Sequence, residues 1–518
     1  MDDHAKRHAW DWIENHRPDL SGWHTTIWEF AEPAWREYRS AAWYVDRLRG
    51  AGFDVEVGSG GMPTAFAASW SNGPGPTVLT YAEYDAVPGN CQAAATSPGP
   101  RPGLSRFAPG HTDPHSALGI STLGGLLAAQ HAMREHGIGG TLRYTGEPAE
   151  KVQGSKVVHG LRGYYDVDAI VSYHPYYSLP MCNTARWDTH CGAYYSKIFT
   201  FRSDHPETWA DAGTPIPSVH SSARAPGANA ALFAMYSLTK STQDAMAPTV
   251  GGWSLSEAIL TAGNATADHL PAGLAQIQYS WRAPTLDIAE RILAVLDANA
   301  EAAARTAHCD LHARWVARNR PGLANHAMAA LTYRNLAAVG PPGYDEAAVA
   351  VGRDMQRALG VPVTDKPFLP DAERLVEPRE AERRLRELLP PWQANSTSDD
   401  YVEMTWYAPT ARFYVAGPEL APTGTSCPAW VYNALGGIPA TIDPSIVCAA
   451  KTTAGALLDL LRDRPALHAA QEEFERRRAG GPKPLLPPEF TAPVDYPWPE
   501  YVTTERGRDW SVPLNAEV

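Results

Sequence analysis

From Thr77 to Tyr173 the chain alternates short runs of β-forming residues with helical stretches, and this alternation restricts the fold more than any other feature. Thr77–Ala82 (Thr-Val-Leu-Thr-Tyr-Ala) is an unbroken β-type run, the pattern of a strand covered on both faces. A helix from about 116 to 135 follows and stops at Gly137. Next come a strand over 141–145, a helical connection carrying Lys156 and His159, and a strand over 169–173. Strand, helix, strand, helix, strand predicts an α/β fold built on a parallel, doubly wound sheet. Such sheets bind ligands beyond the carboxyl ends of their strands, and Asp85, Glu150 and His174 fall there.

The flanking regions are less regular. Apolar and aromatic residues at helical spacing run from about 25 to 50 and close at Gly50 and Gly52; 54–57 and 65–70 read as short strands around a Gly-rich turn. Between Asn90 and Gly110 lies a loop rich in Pro, Gly and Ser, too long for an ordinary βα connection, and long loops in compact domains often carry function. After His190 the character changes: 193–201 and 275–281 alternate like half-exposed strands, while 226–238 and 286–304 are helical. Two strands and two helices predict a small α+β unit inserted into the first domain. The expected division is 1–191, first part of the α/β domain; 192–305, the insert; 306–465, the second part; and 466–518, a Pro-rich tail expected to wrap a surface rather than add a core. No internal repeat is visible.

Bulk properties narrow the function classes. A chain of 518 residues is too long for one small core, so two or more domains are expected. With 44 basic against 57 acidic residues the formal charge is −13, and no Lys/Arg cluster runs longer than a few positions, which argues against nucleic acid as a partner. Six cysteines are scattered without a CxxC pair, as in the reduced thiols of a cytoplasmic enzyme. The polar, Trp-rich N-terminal segment and the lack of a run of about 18 apolar residues predict a protein neither exported nor membrane-spanning.

Three short segments carry the chemistry: Gly-His-Thr-Asp-Pro-His at 110–115, Gly-Glu-Pro-Ala-Glu-Lys at 146–151 and Ser-Tyr-His-Pro at 172–175. Together they bring His111, Asp113, His115, Glu150 and His174 to one sheet edge, a ligand set for a divalent metal plus a carboxylate base, which points to hydrolysis. Singly these signals are weak. A random His-x-Asp-x-His is more often a surface or capping cluster, a lone His174 more often a satisfied core histidine, and Glu147 with Lys151 can be a solvated pair at a turn. Their co-occurrence on one edge favours the metal. Asp85, which can simply close a turn before Pro88, is expected to orient a ligand histidine. His220 and Arg282 are uninformative alone.

The order of these motifs resembles the di-metal peptidase and amidohydrolase family that includes carboxypeptidase G and bacterial aminobenzoyl-glutamate hydrolase, over about residues 25 to 462. The one-metal pattern described below is also similar to a branch of nitroanthranilate aminohydrolase type. Glu83-Tyr84-Asp85-Ala86-Val87-Pro88 resembles the family's strand-end Asp motif, and 110–119 the segment where that branch carries Gly-His-Gly-Cys-Gly-His. Pro148-Ala149-Glu150 resembles its Pro-Ala-Glu-Glu, and Tyr173-His174-Pro175 its next histidine ligand. The resemblance implies a metal-binding α/β domain interrupted by a dimerisation or lid domain, and hence a homodimer or higher homo-oligomer. In that lid His220 matches a histidine that reaches the partner's active site.

Three departures stand out. Asp113 replaces a metal-bridging cysteine, Lys151 replaces the second Glu of the pair, and the segment Thr425-Ser426-Cys427-Pro428-Ala429-Trp430 lacks the last histidine ligand. The last two losses fall on the same metal. The expectation is therefore one divalent ion, Mn²⁺ or Zn²⁺, held by Asp113, His115 and His174, with Glu150 as base, Asp85 and His220 assisting, and the Lys151 ammonium in place of the missing charge. His111, Glu147, Lys151, Cys427 and Arg282 are further candidates for metal or substrate contact. What the resemblance implies is cleavage of a C–N bond in a small, aromatic, N-acyl or N-aroyl amino acid. Two alternatives stand beside it: hydrolytic deamination of an aromatic amine such as an aminobenzoate, and a non-catalytic binding subunit, against which the retained Glu150 and Asp85 argue.

Overall fold

A computed structural model of the chain describes residues 4–176, 181–203, 227–246, 251–263, 272–421, 427–479, 484–504 and 507–510. Its strands are, in chain order, β1 (Asp54–Val57), β2 (Phe66–Ser71), β3 (Thr77–Ala82), β4 (Thr141–Gly146), β5 (Ala169–Tyr176), β6 (Thr184–Ala185), β7 (Ala193–Arg202), β8 (Ser254–Thr261), β9 (Leu274–Ala283), β10 (Asp310–Asn319), β11 (Thr410–Ala416), β12 (Tyr501–Thr504) and β13 (Gly507–Trp510). Seven of them form a sheet in the order β1-β2-β4-β3-β5-β11-β6. β4, β3, β5 and β11 run parallel, and antiparallel strands flank them on both sides. β3 sits at the centre, and its β-branched, aromatic and aliphatic side chains are buried on both faces from Val78 onward. This is the mixed α/β fold expected of the run at 77–82.

Two long helices cover this sheet. His115–His136 returns the chain from β3 to β4, and Pro439–Arg462 packs along it, both with most residues buried. They approach closely because Gly125 has no side chain: a Cβ there would lie 2.7 Å from the Ala450 carbonyl oxygen. Pro439–Arg462 is long and apolar enough to cross a membrane by length and composition, yet 83% of its apolar window is buried inside the protein. The helical stretch expected over 25–50 is two helices, Arg17–Phe30 and Tyr38–Gly50. Ala31 takes a left-handed conformation (φ 38°) and Pro33 follows, which stops the first helix before the second begins.

The second sheet, β10-β7-β9-β8, is antiparallel throughout, with the helices Ala228–Met246 and Leu286–Thr306 contributing to one apolar cluster with it. It has four strands where two were expected. β8 alternates exposed and half-buried residues, and β10 is rich in charge, so neither shows the apolar signal of a core strand. Because β10 pairs with β7 along its length, this unit draws on residues up to Asn319 rather than ending at 305.

The tail also departs from expectation. Leu486, Phe490, Ala492 and Trp498 are buried in a cluster with Trp35, Met62, Ala149 and Val158 of the first unit and Ile198 and Val316 of the second. Arg36 and Arg162 donate to tail carbonyls, and Arg314 pairs with Asp495. The segment is a wedge of core between the two sheets, because its Pro-rich spacing carries large apolar side chains that nothing else covers.

Candidate metal centre

Each chemical side chain is set by the end of a central element. Glu83 and Asp85 follow directly on β3, and His115 opens the helix His115–His136 just after Pro114. Beyond β4, Ala149 turns the chain through a left-handed conformation (φ 58°) and delivers Glu150 and Lys151 into a single 3₁₀ turn. His174 lies near the end of β5, in register with Tyr414 of β11. Parallel strands point their carboxyl ends the same way, so these groups meet.

The meeting point is His115. Its Nδ1 lies 2.7 Å from Asp85 Oδ1, and the other Asp85 oxygen accepts the Lys151 main-chain N–H at 2.8 Å. With its one proton on Nδ1, the neutral ring would offer Nε2 to a metal. Around Nε2 stand Glu83 Oε2 at 3.3 Å, Glu150 Oε2 at 3.3 Å and Asp113 Oδ2 at 3.5 Å. His174 Nε2 is 3.2 Å from Asp113 Oδ1. Donor atoms of Glu83, His115 and His174 lie within 4.8 Å of one another, as do those of Asp113, His115 and Glu150. Both His115 Nε2 and Glu83 Oε2 are buried without a hydrogen-bond partner. Carboxylate oxygens gathered around one imidazole edge demand positive charge among them; Lys151 and the raised His115 meet that demand here, and the same donor set fits a divalent metal.

Electrostatics report the same demand. Burial and the Lys151 charge push His115 toward neutrality, but Asp113, Asp85 and Glu83 outweigh them and hold it well above the ordinary histidine range. Lys151 donates to Asp113 Oδ2 at 2.5 Å and to Glu150 Oε2 at 2.8 Å. Burial works against its charge, yet Asp113, Glu150 and Asp85 keep it above the usual lysine value. Burial alone raises Glu150 and Asp113; Lys151 and His115, joined by His174 at Asp113, prevail and hold both well below the usual carboxylate range.

Some candidates lie elsewhere. His111 is buried with Nε2 3.3 Å from the Ile27 carbonyl and is absent from the ligand groups, because the irregular loop 110–114 turns alternate residues in directions that spacing does not reveal. Glu147, read as half of a solvated pair, is fully buried against His159 (2.7 Å) and Tyr165 (2.9 Å); burial pushes its carboxyl up, but His159, Lys156 and Thr145 prevail and hold it down at about 2. Cys427 belongs to an apolar cluster with Phe368, Val431 and Leu435. Arg282 stacks over Tyr194 and donates to Ser398 Oγ at 2.6 Å, beside Asp399. His220 lies outside the described residues.

Sequence reasoning missed a second tier. Lys156, fully buried, donates to Glu83 Oε1 at 2.7 Å and Asp400 Oδ1 at 2.6 Å. Arg412 pairs with Asp399 and donates to Tyr81 and Ser172 at 2.8 Å each. The available signal was Glu83 itself, an acid immediately after the buried run Thr77–Ala82.

Comparison with known proteins follows the same line. The chain is 33% identical over 177 residues to a component of the p-aminobenzoyl-glutamate hydrolase of Escherichia coli (strain K12), a match covering 34% of this chain and 36% of that protein. It thus spans about a third of the length of that relative. Among solved structures, the aminobenzoyl-glutamate utilization protein from Klebsiella pneumoniae matches with a TM-score of 0.53 at 14% identity, covering 86% of this chain and 98% of that one. No protein-family model matches the chain. It is a homologue of the hydrolase component over the matched segment and shares the fold of the utilization protein, the relationship that the motifs resemble.

Proposed function

We propose that the chain is a metal-dependent hydrolase of carbon–nitrogen bonds. The observation that carries this reading is the buried His115 Nε2, without a hydrogen-bond partner and enclosed by oxygens of Glu83, Asp113 and Glu150, with His174 alongside. Asp113, His115 and His174 would hold one divalent ion, Mn²⁺ or Zn²⁺, which when bound supplies Lewis acidity toward a carbonyl and toward water. Glu150 takes a proton from the attacking water and returns it to the leaving nitrogen, so that the acyl carbon gains hydroxyl as the C–N bond breaks. Asp85 fixes the His115 tautomer, and the Lys151 ammonium fills the place of a second cation between Asp113 and Glu150.

The name of the relative supports a small aromatic substrate of the N-aroyl amino acid class. Arg282, exposed beside Ser398, would in this reading meet a substrate carboxylate. In this reading the four-stranded unit mediates a homodimer, and His220 serves the site of the other subunit.

Metal-loaded protein assayed on N-aroyl amino acids and aminobenzoates tests the proposal. One tightly bound ion per chain is expected, with release of carboxylate and amine; ammonia from an aminobenzoate would instead mark a deaminase. Glu150→Gln should keep the ion and lose about a hundredfold or more in kcat. Two tight ions would refute the single-metal assignment, and no turnover on any substrate would revive a binding role.

A further inference from the structure

Resting on that reading, we infer that Glu83 is a fourth ligand of the metal through Oε2, aimed by Lys156 and Asp400. Glu83 is fully buried, and its two oxygens have different fates. Oε1 accepts from the Lys156 ammonium at 2.7 Å. Oε2 has no hydrogen-bond partner and faces His115 Nε2, itself without one, at 3.3 Å. A buried carboxyl oxygen left without a hydrogen bond costs more than most local contacts return, and a cation against it would remove that cost. His174 has its donor atom within 4.8 Å of both.

The second tier explains why Glu83 cannot turn away. Lys156 is as buried as Glu83 and is shared with Asp400 at 2.6 Å, so rotating Glu83 out would leave an ammonium half-paired in the interior. Lys156 stands on the short helix Lys156–Leu161, a few residues beyond Glu150, which ties the aim of Glu83 to the loop carrying the base. The ligand set becomes two carboxylates and two imidazoles: Glu83, Asp113, His115 and His174. Its added hard oxygen favours Mn²⁺ over softer ions.

The test uses the whole chain stripped of metal. It is titrated with Mn²⁺ by calorimetry and with Co²⁺ by visible absorption, which reports the ligand field directly. Glu83→Gln should weaken Mn²⁺ binding about tenfold or more and shift the Co²⁺ bands. If that variant fails to fold, judged by its circular dichroism, Glu83→Asp, which keeps the charge but shortens the reach, should still shift the bands. A folded variant with an unchanged Mn²⁺ Kd and an unchanged Co²⁺ spectrum would overturn the assignment. His174→Ala separates the two levels: if it abolishes binding while the Glu83 variants do not, only the fourth ligand is lost. If the wild-type chain binds neither ion, the metal reading falls with it.

Discussion

Lys151 serves the site twice, with its main-chain N–H on Asp85 and its ammonium between Asp113 and Glu150. Lys151→Met keeps the first and removes the second. Two carboxylates then share one ion without their counter-charge, so Mn²⁺ should bind more tightly while turnover falls about tenfold or more; a titration paired with kcat measures both. A second residue predicts how stability follows pH. Burial, with Arg320 pulling the other way, raises Glu403 to about 7 from an ordinary 4.5. Between those values the folded chain holds a proton the unfolded chain has released, so stability falls as pH rises through this window, by on the order of 3 kcal/mol in full. Glu403→Gln should flatten that slope in denaturant titrations at pH 5 and pH 8. At this scale the sequence was legible where rare side chains sit at strand ends: Asp85, Asp113, His115, Glu150 and His174 converge. Glu83 escaped notice because Asp85, two positions on, carries the motif role, and Lys156 because a lysine at the start of a helix ordinarily reads as solvated.

Elements were readable in proportion to their burial. β3 has its expected bounds because an apolar β-branched run covered on both faces has no other reading, whereas β8 and β10 look polar and needed their partners to become strands. The helix that opens with His115 carries a tighter constraint than periodicity shows. A Cβ on Gly119 would lie 2.2 Å from the Tyr44 hydroxyl and 3.0 Å from the Glu83 carbonyl oxygen, so the bare backbone lets the helix seat against the end of β3. Gly119→Ala should push His115 and Glu83 apart. The expected result is a loss of about 1–3 kcal/mol in unfolding experiments together with weaker Mn²⁺ binding; stability and affinity both unchanged would contradict it.

The whole molecule is held together by a part that composition misrepresents. Pro-rich spacing suggested a surface strap, yet Leu486, Phe490 and Trp498 are buried between the two units, worth on the order of 5 kcal/mol as an upper bound. A chain ended at residue 483 should bind a hydrophobic dye through exposed Trp35, Val158 and Val316 and should show two thermal transitions in calorimetry in place of a shared one. Ala149, next to the proposed base, packs in that same cluster, so turnover should fall as well. The joint has a temporal side too. Everything it clasps is synthesised before it, and a ribosome therefore releases two sheets whose mutual seam stays open until residues 486–498 emerge. Closure of that seam is accordingly a late event in the life of each new chain, paced by translation of the segment that fills it.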